Sequence, residues 1–105
     1  MEGSCVFCNI FTEKIIFQND YAFVVPDKFP QSKGHLLIIP KRHVTTYFDL
    51  TAEEKGAMLN LLDQAKIYTD DYHFPNGYNV LINAGEAAGQ IVMHAHIHLI
   101  PRYGR

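Results

Sequence analysis

Short apolar runs bounded by turn-forming residues dominate the chain, and only one stretch shows helical spacing. Residues 15–17 and 21–25 read as two strands joined at Asn19-Asp20, a pair that favours turns. Residues 26–33 carry two prolines and read as loop. A third strand covers residues 35–39 and stops at Pro40; a fourth covers 78–83 and a fifth 92–101. Between the third and fourth the period changes, because Met58, Leu61, Leu62 and Ala65 fall at i, i+3, i+4 and i+7. Thr51-Ala-Glu-Glu54 just before them is a capping-box sequence. That helix is expected to fade near Asp70-Asp71, with a turn over residues 73–77. At the other end, residues 5–13 are predicted as a short helix with Val6, Ile10 and Phe7 turned inward.

Strands grouped around one long helix predict an α+β domain: an antiparallel sheet of about five strands, one long helix and a short N-terminal helix. At 105 residues the chain fits a single domain, expected to span 1–105. Nearly half of it is apolar, which excludes a disordered chain. Nine basic residues stand against eleven acidic ones, a balance that argues against binding a nucleic-acid polymer. No apolar run approaches the ~20 residues of a membrane helix, and no leader pattern is visible. Two cysteines, Cys5 and Cys8, stand at Cys-x-x-Cys spacing, which suits metal binding or redox chemistry better than a disulfide framework and points to a cytoplasmic setting.

The densest chemistry lies in His94-Ala-His96-Ile-His98. On a strand, alternate residues share a face, so the three imidazoles would stand together with rings ~7 Å apart while Ala95, Ile97 and Leu99 pack inward. Mutual repulsion would favour neutral rings, and a neutral imidazole is a nucleophile or base. The competing readings are a solvated polar stripe and a three-histidine metal site. Just upstream, Gly85-Glu-Ala-Ala-Gly89-Gln90 offers small residues whose amides can approach an anion, and Gln90 has an amide to donate.

These residues resemble the histidine triad family of nucleotide hydrolases and transferases. The pattern His-φ-His-φ-His-φ-φ appears as His94-Ala-His96-Ile-His98-Leu-Ile, followed by Pro101-Arg102. Gly34-His-Leu-Leu-Ile-Ile-Pro-Lys-Arg-His43 is similar to a second family segment, as are Asn83, Gly85 and Ala88-Gly89-Gln90 in order and spacing. Cys5-Val-Phe-Cys8 looks like the opening of zinc-bearing bacterial members, and the resemblance is nearest to the dinucleoside polyphosphate hydrolase-like branch.

The resemblance implies a HIT-like fold and a covalent nucleotidyl-histidine on His96, with dinucleoside polyphosphates or nucleoside phosphoramidates as substrates. His98, His94 and Gln90 match the groups around that chemistry, and His35 matches a supporting histidine. Asn83 and Gly89 match phosphate-side contacts, Asp27 a ribose contact, and Phe7, with Val6 and Ile10, a base pocket. The zinc ligands implied are Cys5, Cys8, His43 and His94, a structural site; no organic cofactor is implied. A homodimer is the family expectation. Two departures stand out: Ile91 replaces a Ser or Thr of many members, and only seven residues follow His98. The contrasting readings are a nucleotide-binding or scaffolding module and a metallohydrolase. The remaining basic residues, Arg42 and Arg102 among them, read as solvated surface.

Overall fold

The computed structural model describes residues 5–10 and 12–104. Five strands, β1 (Phe17–Gln18), β2 (Ala22–Pro26), β3 (Leu36–Pro40), β4 (Gly77–Leu81) and β5 (Ile97–Arg102), form one antiparallel sheet in the order β1-β2-β3-β5-β4. One long helix, α1 (Ala52–His73), lies between β3 and β4 in the chain. The α+β reading and the five strands hold.

Strand alternation sorts the apolar residues onto two faces. Val24, Leu36, Ile38, Ile97 and Leu99 face α1 and pack against Met58, Leu61 and Ala65. Phe23, Val25, Leu37 and Ile39 point the other way, where Phe7, Ile10 and Ile15 cover them. His98 pairs with Leu37 on one side and Leu81 on the other, so it stands on that second face. Helix α1 begins at the predicted box: Thr51 accepts the Glu54 N–H while Glu54 accepts the Thr51 N–H. Two backbone donors that would otherwise lack partners are satisfied there.

The first four strands shift by one or two residues from the sequence reading, β1 to Phe17–Gln18 and β4 to Gly77–Leu81 among them, and three differences are larger. Among the described residues the helix predicted over 5–13 does not form; residues 6–9 form a turn and Thr12–Lys14 a single 3-10 turn. Phe11 lies outside the described residues. Val6 is largely exposed rather than inward, whereas Ile10 packs on the sheet. Helix α1 continues past Asp70, which accepts from Lys66 Nζ at 2.7 Å and from Tyr78 Oη at 2.6 Å, and ends where Phe74 turns left-handed. The third difference matters most: β5 starts at Ile97, five residues later than predicted, so His94 and His96 precede the strand. The chain there is tied to the segment after β3 by the Ala95 N–H on the Val44 carbonyl.

Candidate active site

His94 does not stand beside the other two histidines of the run. Its ring is fully buried, and its Nε2 lies 2.8 Å from the Pro40 carbonyl. A carbonyl only accepts, so Nε2 carries the hydrogen and Nδ1 keeps its lone pair. That Nδ1 lies 3.1 Å from His43 Nδ1, 3.4 Å from Cys5 Sγ and 3.5 Å from Cys8 Sγ; Cys8 Sγ is 3.2 Å from His43 Nδ1. All four ligand atoms fall within 4.8 Å of one another. The edges of a tetrahedron with Zn–N near 2.0 Å and Zn–S near 2.3 Å measure roughly 3.3–3.8 Å, so the four donors have the chemistry and spacing to hold a metal ion.

His96 is the residue the backbone then presents. Its Nδ1 lies 2.8 Å from the His94 carbonyl, so Nδ1 carries the hydrogen and Nε2 is left with a lone pair. Phe7 meets the ring edge-on at 5.0 Å between centroids, and meets His94 at 5.9 Å. His96 is only 7% exposed. Burial holds its pKa below the ordinary histidine value, with the nearby His98 a smaller contributor; mutual repulsion is therefore not the leading cause. The His96 and His98 rings lie 4.8 Å apart, closer than strand spacing alone predicts, because His96 sits off the strand.

His98 belongs to a separate group. His35 Nε2 is 3.0 Å from His98 Nδ1 and 3.3 Å from Asp27 Oδ2, and Asp27 Oδ2 is 3.9 Å from His98 Nδ1. His35 Nδ1 accepts the backbone N–H of Gln31 at 3.0 Å, and Asp27 Oδ1 accepts that of Phe29 at 2.9 Å. Burial lowers the pKa of both histidines; Asp27 opposes the shift, and Arg102 adds to it at His35.

Gln90 is placed differently from the expectation. Its Nε2 donates to the carbonyls of Thr45 (2.6 Å) and Val92 (3.0 Å), and its Oε1 accepts the Gly85 N–H at 2.7 Å. Both amide hydrogens are committed, so Gln90 braces the glycine loop from inside and has none left for a phosphate or leaving group. Within that loop Glu86–Ala88 forms a 3-10 turn, closed by Gly89 at φ +95° with the Asn83 amide nearby. Ile91, directly after the brace, is 91% exposed. Sequence reading missed Gln31, whose N–H fixes the His35 tautomer, because a backbone donor leaves no residue-type signal. It also missed the ties of Arg102, which donates to Asn79 Oδ1 (2.7 Å) and Gln31 Oε1 (3.2 Å).

A three-histidine segment, buried at His94 and His96 and half-buried at His98, on a five-stranded antiparallel sheet beside one helix defines a class of protein, and comparison with known proteins agrees. Residues 10–105 match the HIT domain. The chain belongs to the HIT family. A HIT family protein from Bacillus anthracis has a crystal structure similar to this one, with TM-score 0.90 and 35% identity over 97% of this chain and 75% of that one. A zinc-bound histidine triad family protein from Mycobacterium smegmatis gives TM-score 0.87 and 30% identity over 99% of this chain and 78% of its own. An adenylylsulfatase of Arabidopsis thaliana is 34% identical over 112 residues, covering all of this chain and 55% of that protein.

Proposed function

We propose that this chain is a nucleotide hydrolase or nucleotidyltransferase that cleaves at the α-phosphorus of dinucleoside polyphosphates or nucleoside phosphoramidates through a nucleotidyl-His96 intermediate. The observation that carries the reading is the His96 Nδ1 contact to the His94 carbonyl, which leaves Nε2 as a buried lone pair. In the first half-reaction that lone pair forms a bond to phosphorus and the leaving group departs with the electrons of the broken bond. Water or another acceptor then bonds to the same phosphorus through oxygen and gives its proton to solvent, while the P–N bond breaks and its electron pair returns to His96 Nε2. Donors fixed in place before the reaction stabilise the charge that grows on the phosphoryl oxygens. His98 supplies one of them, and Asn83 beside the Gly85–Gly89 loop another; the Gly85, Ala88 and Gly89 N–H groups are held within the loop and keep its shape. Asp27 Oδ2 takes the ribose hydroxyls, and Phe7 offers an apolar face for the base. His94 acts on the reaction through its carbonyl, and Gln90 by holding the loop.

The four-ligand cluster is assigned to structural zinc, which would pin the N-terminal segment over the sheet. Its support is the lone pair on His94 Nδ1 and the ligand spacing, together with the zinc-bound relative. We further infer a homodimer. Edge strand β4 leaves Val80 and Leu81 exposed, with Ile82 just beyond it, and exposed edges are commonly covered by a partner. A reduced compartment such as the cytoplasm would keep both thiols available to a metal.

Intact-protein mass spectrometry after a rapid acid-free quench tests the central claim. With an adenosine polyphosphate or phosphoramidate, the chain should gain one nucleotidyl group, and His96→Gly should gain none. A second reading, a nucleotide-binding module with little catalysis, draws on Ile91, which places an apolar side chain where many relatives have a hydroxyl. Tight nucleotide binding with no adduct from any substrate would favour it, and Ile91→Ser would then be expected to restore turnover.

A further inference from the structure

The turn at residues 6–9 links the four-ligand cluster to the ring of His96. Phe7 lies between Cys5 and Cys8 in the chain, meets His96 edge-on at 5.0 Å, and packs over Phe23, Val25, Leu37 and Ile39. Cys5 Sγ lies 3.4 Å from His94 Nδ1 and Cys8 Sγ 3.2 Å from His43 Nδ1, so the thiols tie this turn to segments distant in sequence. The same two thiols also stand close to each other. The Cys8 N–H and the Asn9 side-chain amide both donate to the Cys5 carbonyl, at 3.2 and 2.7 Å, which closes the turn. A turn of this kind keeps its end Cα atoms within about 7 Å, and a disulfide spans roughly 4.4–6.8 Å between Cα atoms. The two sulfurs lie within 4.8 Å of one another, and neither is in a disulfide. Cys8 is exposed, so a small oxidant can reach it without the fold opening. Metal binding and oxidation therefore compete for the same pair of sulfurs.

Building on the metal-site reading of the four-ligand cluster, we propose that Cys5 and Cys8 form a thiol switch for hydroperoxides, in which oxidation to a disulfide dismantles the cluster and lifts Phe7 from His96. Cys8 Sγ attacks one oxygen of the peroxide, the O–O bond breaks, and the other oxygen leaves with the electron pair. Cys5 Sγ then bonds to the Cys8 sulfur, and the S–O bond breaks to release hydroxide. Two thiolates and one hydrogen peroxide, with two protons from water, give one disulfide and two molecules of water. Sulfur is oxidised and the peroxide is reduced. The step removes two of the four donors, and His43 and His94 alone cannot fill a tetrahedral site. Drawing the sulfurs to about 2.05 Å from each other also takes them away from the two imidazoles. Phe7, carried on the loop between them, loses its seat, and His96 meets water. A thiol reductant and the metal restore both contacts. In a nucleotidyl-transferring chain the oxidised state is silent, because the apolar face for the base and the shielded lone pair are lost together.

Intact-protein mass spectrometry and a chromogenic zinc chelator read the switch together on zinc-loaded protein treated with hydrogen peroxide. The chain should lose two hydrogens as it releases its zinc, and a thiol reductant with added zinc should reverse both. Labelling with diethyl pyrocarbonate, mapped by fragmentation of the histidine run, reads the cover over His96. His96 should label at least about fivefold faster after oxidation, as for a group uncovered by local opening. Phe7→Ala should speed that labelling without peroxide while keeping its zinc, which separates the cover from the metal. Cys8→Ser should form no intramolecular disulfide, and peroxide should leave its His96 labelling unchanged. Zinc and thiols that survive peroxide, mass gains at methionine alone, or a disulfide that leaves His96 as slow to label as before would each overturn the proposal. A reduced chain that takes up no zinc would defeat the metal-site reading, while disulfide formation and His96 labelling still decide the switch.

Discussion

Two clusters flank His96, and both contain two histidines within hydrogen-bond reach, yet their chemistry is opposite. At the first, the Pro40 carbonyl takes the His94 Nε2 hydrogen and leaves a lone pair facing two thiols and His43. At the second, the Gln31 N–H occupies His35 Nδ1 and forces a hydrogen to face His98 and Asp27. Asp27, His35 and His98 also gather within metal-binding distance. A cation there would have to displace the Nε2 hydrogen of a ring whose other nitrogen is already capped. The tautomer set by one backbone group thus separates a cluster able to take a metal from a hydrogen-bonded array, where residue types and distances alone do not.

The largest effect that sharpens this comparison lies between the clusters. On the proposed covalent mechanism His96→Gly should cut turnover by about ten-thousand-fold or more, since only binding and charge stabilisation would be left. Its thermal midpoint should stay close to wild type. Turnover retained within tenfold would show that the lone pair is not the attacking group. The next largest effect belongs to the metal cradle. Cys5→Ser should abolish stoichiometric zinc and lower Tm by roughly 10–20 °C, through loss of metal-linked folding energy in a small domain. The same treatment should leave the His98 tautomer unchanged. A Tm insensitive to both Cys5→Ser and chelator would remove the structural role from the cluster.

A smaller effect probes how His35 is delivered. Gly34 has φ +91°, and a Cβ built on it would lie 2.6 Å from His73 Cδ2, at the end of α1. Backbone strain and the clash act together, so Gly34→Ala should cost about 1–3 kcal/mol in urea unfolding. It should also disturb the His98 ring signals in NMR while leaving zinc content intact. A variant as stable as wild type would mean that β3 can enter the sheet without this close approach.

Much of the fold was legible because it follows from periodicity. The capping box at Thr51 and Glu54, the helical stripe, and the strands around Val24 and Ile38 each depend on neighbours close in sequence. Residues 5–13 misled because Ile10 is apolar for a different reason: it covers the sheet from a turn. The late start of β5 was illegible for a comparable reason. His94 is held by Pro40, 54 residues away in sequence, and no local pattern marks that carbonyl. In the site, the histidine run announced chemistry, but which nitrogen carries each hydrogen is decided by long-range backbone contacts. Gln90 shows the converse: its residue type suggested a donor, and its burial commits that donor to Thr45 and Val92.

The smallest expected effect comes from a pair beside the metal cradle that sequence reading took for solvated surface and a simple cap. Arg42 directly precedes His43 in the chain, and its Nε and Nη2 reach Glu54 Oε2 and Oε1 at 2.8 and 2.9 Å. Glu54 is nearly buried, and the Arg42 hydrogen bonds pull its carboxyl pKa from 4.5 down to about 2. A depressed carboxylate stabilises the folded chain fully above its unfolded value and loses that contribution as pH falls through the folded one. The window runs from about pH 4.5 down to about pH 2. Glu54→Gln should therefore cost about 1–2 kcal/mol at neutral pH, a figure kept modest because half-exposed Arg42 is screened by solvent. The gap between variant and wild type in urea midpoint should close across that window. A gap that stays constant to pH 2 would assign the cost to the lost helix cap and not to the charge.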